Sequence, residues 1–401
     1  MAQQASTANA NGPIYGGANN GALTNAGTVD QRRALYLKLF SGEMFKGFQH
    51  NTIARDLVTR RTLKNGKSLQ FIYTGRTKSE FHIPGQSILG NDEKTPPVAE
   101  KTITVDDLLI SSAFVYELDE TLAHYDLRGE ISKKIGYALA ENYDRRIFRA
   151  ISKAARQPSP VTMSGFVEPG GSVVKVGAAA STTAADAYNA GHLVNAFFDA
   201  AAILDEKGVS GEGRVAVLNP RQYYALIQDV SSNGLINRDV QGTALQSGNG
   251  IIEIAGIKIY KSMNIPFFGK FGTKTDMNPR ASNDNEGSFV GEAMGDQDQA
   301  ANGGTPAGGQ KTTNNYGTAA KFANSCGLIF QKEAAGVVEA IGPQVQVTSG
   351  DVSVVYQGDV ILGRLAMGAD FLNPACAVEL VAGIDVSSNF NNTAVSNASF
   401  T

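Results

Sequence analysis

Tryptophan is absent from this chain of 401 residues, and cysteine and histidine are scarce, with two and four copies. Two cysteines, Cys326 and Cys376, specify neither a disulfide framework nor a thiolate metal site, and we expect them to fill apolar gaps. The histidines fall in four different predicted elements, without a spacing typical of metal ligands. The sequence therefore predicts no metal site and no cofactor, and it favours a reducing compartment.

A long apolar run is also missing, as is an opening charged segment followed by an apolar stretch. A membrane-spanning helix needs roughly 20 apolar residues, so we expect a soluble protein that is not exported and has no membrane partner. The 35 Lys and Arg residues are balanced by 38 Asp and Glu, for a net charge of −3. This balance argues against a dedicated nucleic-acid binder, and any contact with DNA is expected to be non-specific.

Motifs that carry catalysis are absent as well. Gly66-Lys67-Ser68 is similar to the end of a phosphate-binding loop, but Arg61 stands where that loop needs its first glycine. No nucleophile motif of the G-x-S-x-G type occurs. The sequence predicts no catalytic residue, and we expect a protein that is not an enzyme.

One long amphipathic helix is predicted over 122–156, with Asp126 as its cap and Gln157-Pro158 as its stop. Charged side chains fill much of its remaining circumference, and we expect those faces to stay available to solvent or neighbours. Its apolar stripe recurs every four residues and comprises Ile131, Ile135, Leu139, Tyr143, Ile147 and Ile151.

A basic β-hairpin is predicted before this helix. Partial alternation over 68–73 and 79–83, bracketed by turn residues, indicates two paired strands. A single long strand over 101–118 is then expected to lead into the helix. An isolated hairpin is marginally stable in water, so this one is expected to need a partner surface.

A compact α/β region is predicted further along the chain. It contains a helix over 192–208, a buried strand over 214–218, a helix that starts at Pro220, and two β-rich runs hinged at Gly256. Strand-prone sequence returns over 345–355. An amphipathic helix is predicted near 34–48, whereas 1–29, 269–317 and 386–401 have the composition of an arm, a loose excursion and a tail.

This order of elements resembles the major capsid protein of short-tailed bacteriophages of the autographivirus type. The resemblance spans most of the patterned chain, in the family's order. It is carried by ALYLKLFSGEMFKGF (34–48), GKSLQFIYTGRTKSEFHIPGQSI (66–88), EKTITVDDLLISSAFVYELDETLAHYDLRGEISKKIGYALA (100–140), VLNPRQYYAL (217–226) and GRLAMGADFLNPACAVEL (363–380).

The resemblance implies an α+β fold, the tailed-bacteriophage major capsid fold. It has an N-terminal arm, an extended β-hairpin loop, a peripheral domain with a long spine helix, and an axial domain. The implied boundaries are 1–58 for the arm and its helix, 59–99 for the extended loop, 100–160 with 336–385 for the peripheral domain, 161–335 for the axial domain, and 386–401 for the tail.

The implied function is a structural, self-assembling shell protein of an icosahedral bacteriophage (podovirus) head, a virion component assembled in the host cytoplasm. Its implied partners are copies of itself in hexamers and pentamers, scaffolding, portal and decoration proteins, and packaged double-stranded DNA. Two alternatives stay open: a cargo-enclosing nanocompartment shell protein, and a ligand-binding α/β enzyme with its site in the domain at 192–266.

Charged residues on the hairpin are candidates for contacts between subunits, with simple solvation of the hairpin as the equally weighted alternative. We expect the double change of Arg76 and Lys78 to Glu to impair particle assembly. The candidates are Arg60, Arg61, Arg76, Lys78 and Glu80.

Overall fold

The fold is taken from a computed structural model that describes part of the chain: residues 53–77, 79, 81–85, 96–117, 127–160, 162–163, 166–178, 184–227, 252–262, 264–265, 314, 316, 325–347 and 357–382. The helix predicted near 34–48, the cap at Asp126, the tail and all but two residues of the excursion lie outside these ranges.

Helices and strands alternate irregularly along the described chain. The α-helices are α1 Ala54–Leu57, α2 Leu127–Ala155, α3 Ala190–Glu206 and α4 Pro220–Ile227. The strands are β1 Thr59–Thr62, β2 Ser68–Thr74, β3 Val98–Thr104, β4 Leu109–Tyr116, β5 Thr162–Met163, β6 Phe166–Val167, β7 Ser172–Lys175, β8 Arg214–Leu218, β9 Ile252–Ile254, β10 Ile257–Lys261, β11 Ser325–Gln331, β12 Ala335–Val347, β13 Gly358–Phe371 and β14 Ala377–Val381. None of these helices is long and apolar enough to span a membrane.

The chain divides into two compact units, and α2, β12 and β13 each begin in one unit and end in the other. In the first unit, which includes 108–141 and 341–366, β4 pairs antiparallel with β13. The first half of α2 packs on this pair, since a Cβ atom on Gly363 would lie 2.4 Å from Ile135 Cγ2 and 2.8 Å from Leu139 Cδ1. A glycine in the sheet therefore lets the helix approach the strands closely.

The second unit includes 52–107, 142–340 and 367–401, and it contains a six-stranded mixed sheet in the order β7-β14-β11-β8-β10-β9. Strand β10 runs parallel to β8, whereas β11 runs antiparallel to both β8 and β14. Phe197 and Leu204 of α3 share one buried cluster with Leu218, Ile329 and Leu380 of the sheet. Burial on this scale is the main source of its stability.

The elements that local patterns predict in this second unit are confirmed. The predicted strand over 214–218 matches β8, and the predicted helices match α3 and α4. The hinge at Gly256 is a tight turn, with φ of +52° at Ala255 and +74° at Gly256 between the antiparallel β9 and β10. Glycine suits this position because it adopts positive φ without steric cost.

The long helix is confirmed over Leu127–Ala155. Five members of its apolar stripe are buried, and Ile131 is partly buried. The expectation of free charged faces is wrong for the second half of the helix, because these charges are buried beside partners within the chain. The buried residues are Asp144, Arg145, Arg146, Arg149, Lys153 and Arg156.

The predicted hairpin partner is also wrong. Residues 79 and 81–83 are not strand, and β2 pairs antiparallel with β3, from Ser68↔Thr104 to Thr74↔Val98. Phe81 and Ile83 are exposed, so these two apolar side chains gain little burial where they lie. The β2–β3 pair is called the ribbon below.

The single strand expected over 101–118 is two strands, β3 and β4, with different partners. The chain leaves the ribbon at Asp106, whose buried carboxylate accepts hydrogen bonds from Arg146 Nη1 at 3.1 Å and from Tyr316 Oη at 2.6 Å. A buried carboxylate needs such hydrogen-bond donors. The position that Asp106 takes to contact them turns the backbone between β3 and β4.

Candidate assembly surface

The ribbon has two unlike faces. Paired residues of an antiparallel ladder share a face, so Leu69, Phe71 and Tyr73 lie on the same side as Ile103. These side chains are partly or fully buried, whereas the neighbours between them are exposed. The ribbon therefore presents its inner face to its own subunit and leaves its outer face open.

The open face carries large apolar side chains. Ile72 is 74% exposed and Val98 is 65% exposed, and they lie on the same face of the ladder, two rungs apart. Beyond the end of β2, Phe81 is fully exposed and Ile83 is 59% exposed. Exposed large apolar side chains are typical of an interaction site, because leaving them in water costs free energy.

Glu168 contacts the ribbon where β2 ends. This buried carboxylate accepts a hydrogen bond from the backbone N–H of Arg76 and lies 3.6 Å from Arg76 Nε. The hydroxyl of Tyr73 also donates to it, at 3.5 Å. The Arg76 guanidinium in turn donates to the carbonyl oxygen of Lys207 at the end of α3. Arg76, 61% exposed, thus makes its described contacts within its own subunit.

A cavity of about 570 Å³ lies beside the ribbon's inner face, lined by Phe71, Tyr73, Lys207 and Cys376 among others. Burial lowers the pKa of Lys207 to about 8, and its ammonium donates to the carbonyl oxygen of Gly170 at 2.7 Å. Burial raises the pKa of Tyr73 and of Cys376 to about 12. The thiol and the phenol are therefore protonated at neutral pH, which makes Cys376 a poor nucleophile.

The sequence-predicted contact residues do not form one cluster. Arg60 Nη1 lies 3.7 Å from Glu339 Oε2, and the guanidinium of Arg61 lies 5.7 Å from the centre of the Phe71 ring. Arg76 lies at the other end of β2. Lys78 and Glu80 are outside the described residues. The assignment of all five to contacts between subunits stays a prediction.

Sequence reasoning missed the acidic partners of these arginines. Glu168 and Glu339 are far from the ribbon in sequence, and each is buried. Nothing in their neighbouring residues marks them as partners of Arg76 or Arg60. Within the part of the chain that the structure describes, no group of three His, Cys, Asp or Glu side chains is placed to hold a metal ion.

Comparisons with known proteins point to one family. Residues 70–297 match the family described as "Gp10A-like: Major capsid protein". The chain is 24% identical to the major capsid protein of Enterobacteria phage T3 over 374 residues, which cover 92% of this chain and 97% of that protein. It is 31% identical to the major capsid protein of Escherichia phage T7 over 143 residues, and this match spans 35% of this chain and 41% of the T7 protein.

Solved structures agree with these sequence matches. The capsid structure of the cyanophage P-SCSP1u superimposes with a TM-score of 0.65 at 30% identity, covering 90% of this chain and 96% of that chain. The fold is thus the mixed α+β tailed-phage capsid fold. Because the family match spans more than half of the chain and the cyanophage match nearly all of it, the chain belongs to the Gp10A-like family of major capsid proteins.

Proposed function

We propose that this protein is the structural subunit of a phage head, assembling with copies of itself into the hexamers and pentamers of an icosahedral shell around double-stranded DNA. The observation that carries the proposal is the ribbon's open face, where Ile72 and Val98 are exposed on a two-stranded element. A two-stranded ribbon is marginal in water, and a second copy would bury these side chains.

The proposal assigns β2 and the start of β3 to the extended loop at 59–99, and the rest of β3 with α2, the spine helix, to the peripheral domain, within the domain boundaries that the family resemblance implies. Scaffolding, portal and decoration proteins are further partners under this proposal. DNA is bound without sequence specificity, in keeping with a net charge of −3 over the whole chain.

The test replaces both apolar side chains of the open face with Asp, as Ile72→Asp with Val98→Asp. We expect folded subunits that no longer form particles, because burying two new carboxylates at an interface costs several kcal/mol. Electron microscopy and sedimentation of the purified protein measure particle yield, and circular dichroism measures folding.

The matched control is Ser68→Asp, which adds a carboxylate to the same face without removing an apolar side chain. It is expected to assemble at near wild-type yield. Particles of normal yield from the double variant would overturn the assignment of this face. Small shells that enclose protein, in place of phage-sized heads, would favour the nanocompartment alternative.

A further inference from the structure

We propose that Glu168 and Arg76 form a clasp that fixes the orientation of the ribbon on its own subunit before assembly. Glu168 is 4% exposed and lies just before β7, outside the ribbon. It receives the backbone N–H of Arg76, the Tyr73 hydroxyl at 3.5 Å and the Arg76 side chain, with Nε at 3.6 Å. Three groups from the end of β2 and the two residues beyond it thus converge on one buried carboxylate.

The second half of the clasp is the end of α3. The Arg76 guanidinium donates to the carbonyl oxygen of Lys207, the C-cap residue of that helix. The next residue, Gly208, has φ of +70°, and a Cβ atom there would lie 3.2 Å from Arg76 Nη2. Glycine therefore satisfies the left-handed backbone and leaves room for the guanidinium. The helix C-terminus also favours a cation electrostatically.

The loop that carries Glu168 is itself fixed to the rest of the subunit, here called the body. Gly171 N donates to Gln157 O at 2.9 Å, and a Cβ atom on Gly171 would lie 2.3 Å from Ala154 O, so the loop after Glu168 lies directly on the end of α2. Lys207 Nζ donates to Gly170 O of the same loop at 2.7 Å. Because this loop is held by hydrogen bonds to the end of α2 and to Lys207, the position of Glu168 fixes the position of the ribbon end that it binds.

The clasp lies at the end of the ladder that is far from the point where β3 leaves the ribbon. At one end of the ladder, Val105 N donates to Lys67 O at 2.8 Å, and the chain enters the body there. At the other end, Gly75 N donates to Pro97 O at 2.7 Å, one residue before Arg76. Between these ends, Lys101 Nζ of β3 lies 2.7 Å from Asp370 Oδ2. Attachment at both ends defines a single orientation, and charge-assisted hydrogen bonds are strong enough to maintain it.

Pulsed electron paramagnetic resonance on unassembled subunits measures this orientation directly. Spin labels at Gln70→Cys on the ribbon and Ala202→Cys on α3 report the distance between ribbon and body, since both sites are exposed. The native cysteines, Cys326 and Cys376, are buried with raised pKa values, so the introduced thiols react selectively. A second pair, Ala202→Cys with Lys258→Cys, lies wholly in the body.

The wild-type ribbon–body pair is expected to give one narrow distance peak. Arg76→Ala and Glu168→Ala should shift or broaden that peak and leave the body pair unchanged. Lys64→Ala, on an exposed lysine outside the clasp, is the control and should match wild type. If Glu168→Ala does not fold, Arg76→Ala combined with Tyr73→Phe decides, because it removes both side-chain donors to Glu168.

An unchanged ribbon–body peak in Glu168→Ala or in Arg76→Ala combined with Tyr73→Phe, or a broad peak in the wild-type protein, would overturn the clasp. The measurement is made without particles, so its result is independent of whether the ribbon contacts a second copy. A clasp variant with a shifted peak and normal particle yield would leave the shell function intact and show that the orientation is not required for assembly.

Discussion

Arg156, directly after α2, forms a buried ion pair with Glu379 of β14. Arg156 Nη2 donates to Glu379 Oε1 at 2.7 Å, and Ser152 Oγ donates to the same oxygen at 2.6 Å. The two charged side chains are 1% and 0% exposed. The pair fixes the end of the long helix to the six-stranded sheet. The Glu379 carboxylate accepts hydrogen bonds from several donors, as a buried charge requires.

Removing one partner of this pair should destabilise the subunit strongly. Glu379→Ala leaves the Arg156 guanidinium buried without its counter-charge, and we expect a loss of about 3–5 kcal/mol in the free energy of unfolding. Urea denaturation of unassembled protein, followed by circular dichroism, measures the change. Glu333→Ala removes an exposed carboxylate and should stay within about 0.5 kcal/mol of wild type. A Glu379→Ala subunit as stable as this control would contradict the importance of the pair.

The hydroxyl of Tyr316, near the end of the excursion predicted at 269–317, contacts Asp106, where the chain leaves the ribbon. Tyr316 Oη donates to Asp106 Oδ2 at 2.6 Å and accepts from Ala369 N at 3.0 Å. Tyr316→Phe keeps the ring but leaves two buried polar groups without this partner, so we expect a loss of about 1–3 kcal/mol. Thermal denaturation measures it, with Tyr260→Phe as the control on a partly exposed tyrosine. Equal melting temperatures for the two variants would argue against the contact.

Elements with a local pattern were predictable from the sequence. The period of α2 and the apolar run of β8 are properties of consecutive residues, so each element can be predicted without knowledge of its surroundings. Gly208 and Pro220 gave further local signals at helix ends. These signals located single elements, whereas the α+β fold class came from the family resemblance.

Pairing between distant segments was not predictable. The partner of β2 is β3 rather than the nearer segment at 79–83, and Arg156 finds its carboxylate 223 residues away. A charged residue on a helix looks the same in sequence whether water or a buried acid faces it. For this reason the sequence does not show that the charges in the second half of α2 are buried, or that Glu168 contacts the ribbon.

Gly368 should tolerate no side chain. A Cβ atom at this position would lie 1.9 Å from the carbonyl oxygen of Thr104, which is backbone and cannot rotate away. We expect Gly368→Ala to destabilise the subunit by more than about 3 kcal/mol or to prevent folding, because strand separation must increase locally. The soluble yield and the urea midpoint measure this effect.

The matched control for Gly368→Ala is Gly136→Ala, in the middle of α2. Among the described residues, no atom outside its two chain neighbours and the nearby helix backbone lies within 4 Å of a Cβ placed there, and the backbone is helical. Alanine has a higher helix propensity than glycine by about 0.8–1.0 kcal/mol, so this variant should be more stable than wild type. A Gly368→Ala protein that gains stability in the same way would show that the close approach to Thr104 is absent.

Glu339 should make stability depend on pH. Burial alone favours its neutral form, but Arg55 and Tyr143 donate hydrogen bonds to its carboxylate, at 3.2 and 2.7 Å, and with the positive charge of Arg55 they lower its pKa. A carboxyl group whose pKa is lower in the folded state contributes stability above its unfolded pKa, near 4.5. That contribution disappears as the pH falls through the folded pKa.

Glu339→Gln therefore tests the sign of this effect. At neutral pH the variant should be less stable than wild type by about 1.5–3 kcal/mol, because a charged acceptor becomes neutral. The gap should shrink between about pH 5 and about pH 3, where the wild-type carboxylate becomes protonated and Gln cannot titrate. Urea denaturation across this range measures the gap, and Glu333→Gln, at an exposed position, should follow the wild-type slope. A constant gap between Glu339→Gln and wild type over the whole range would mean that the pKa of Glu339 is not lowered by its donors.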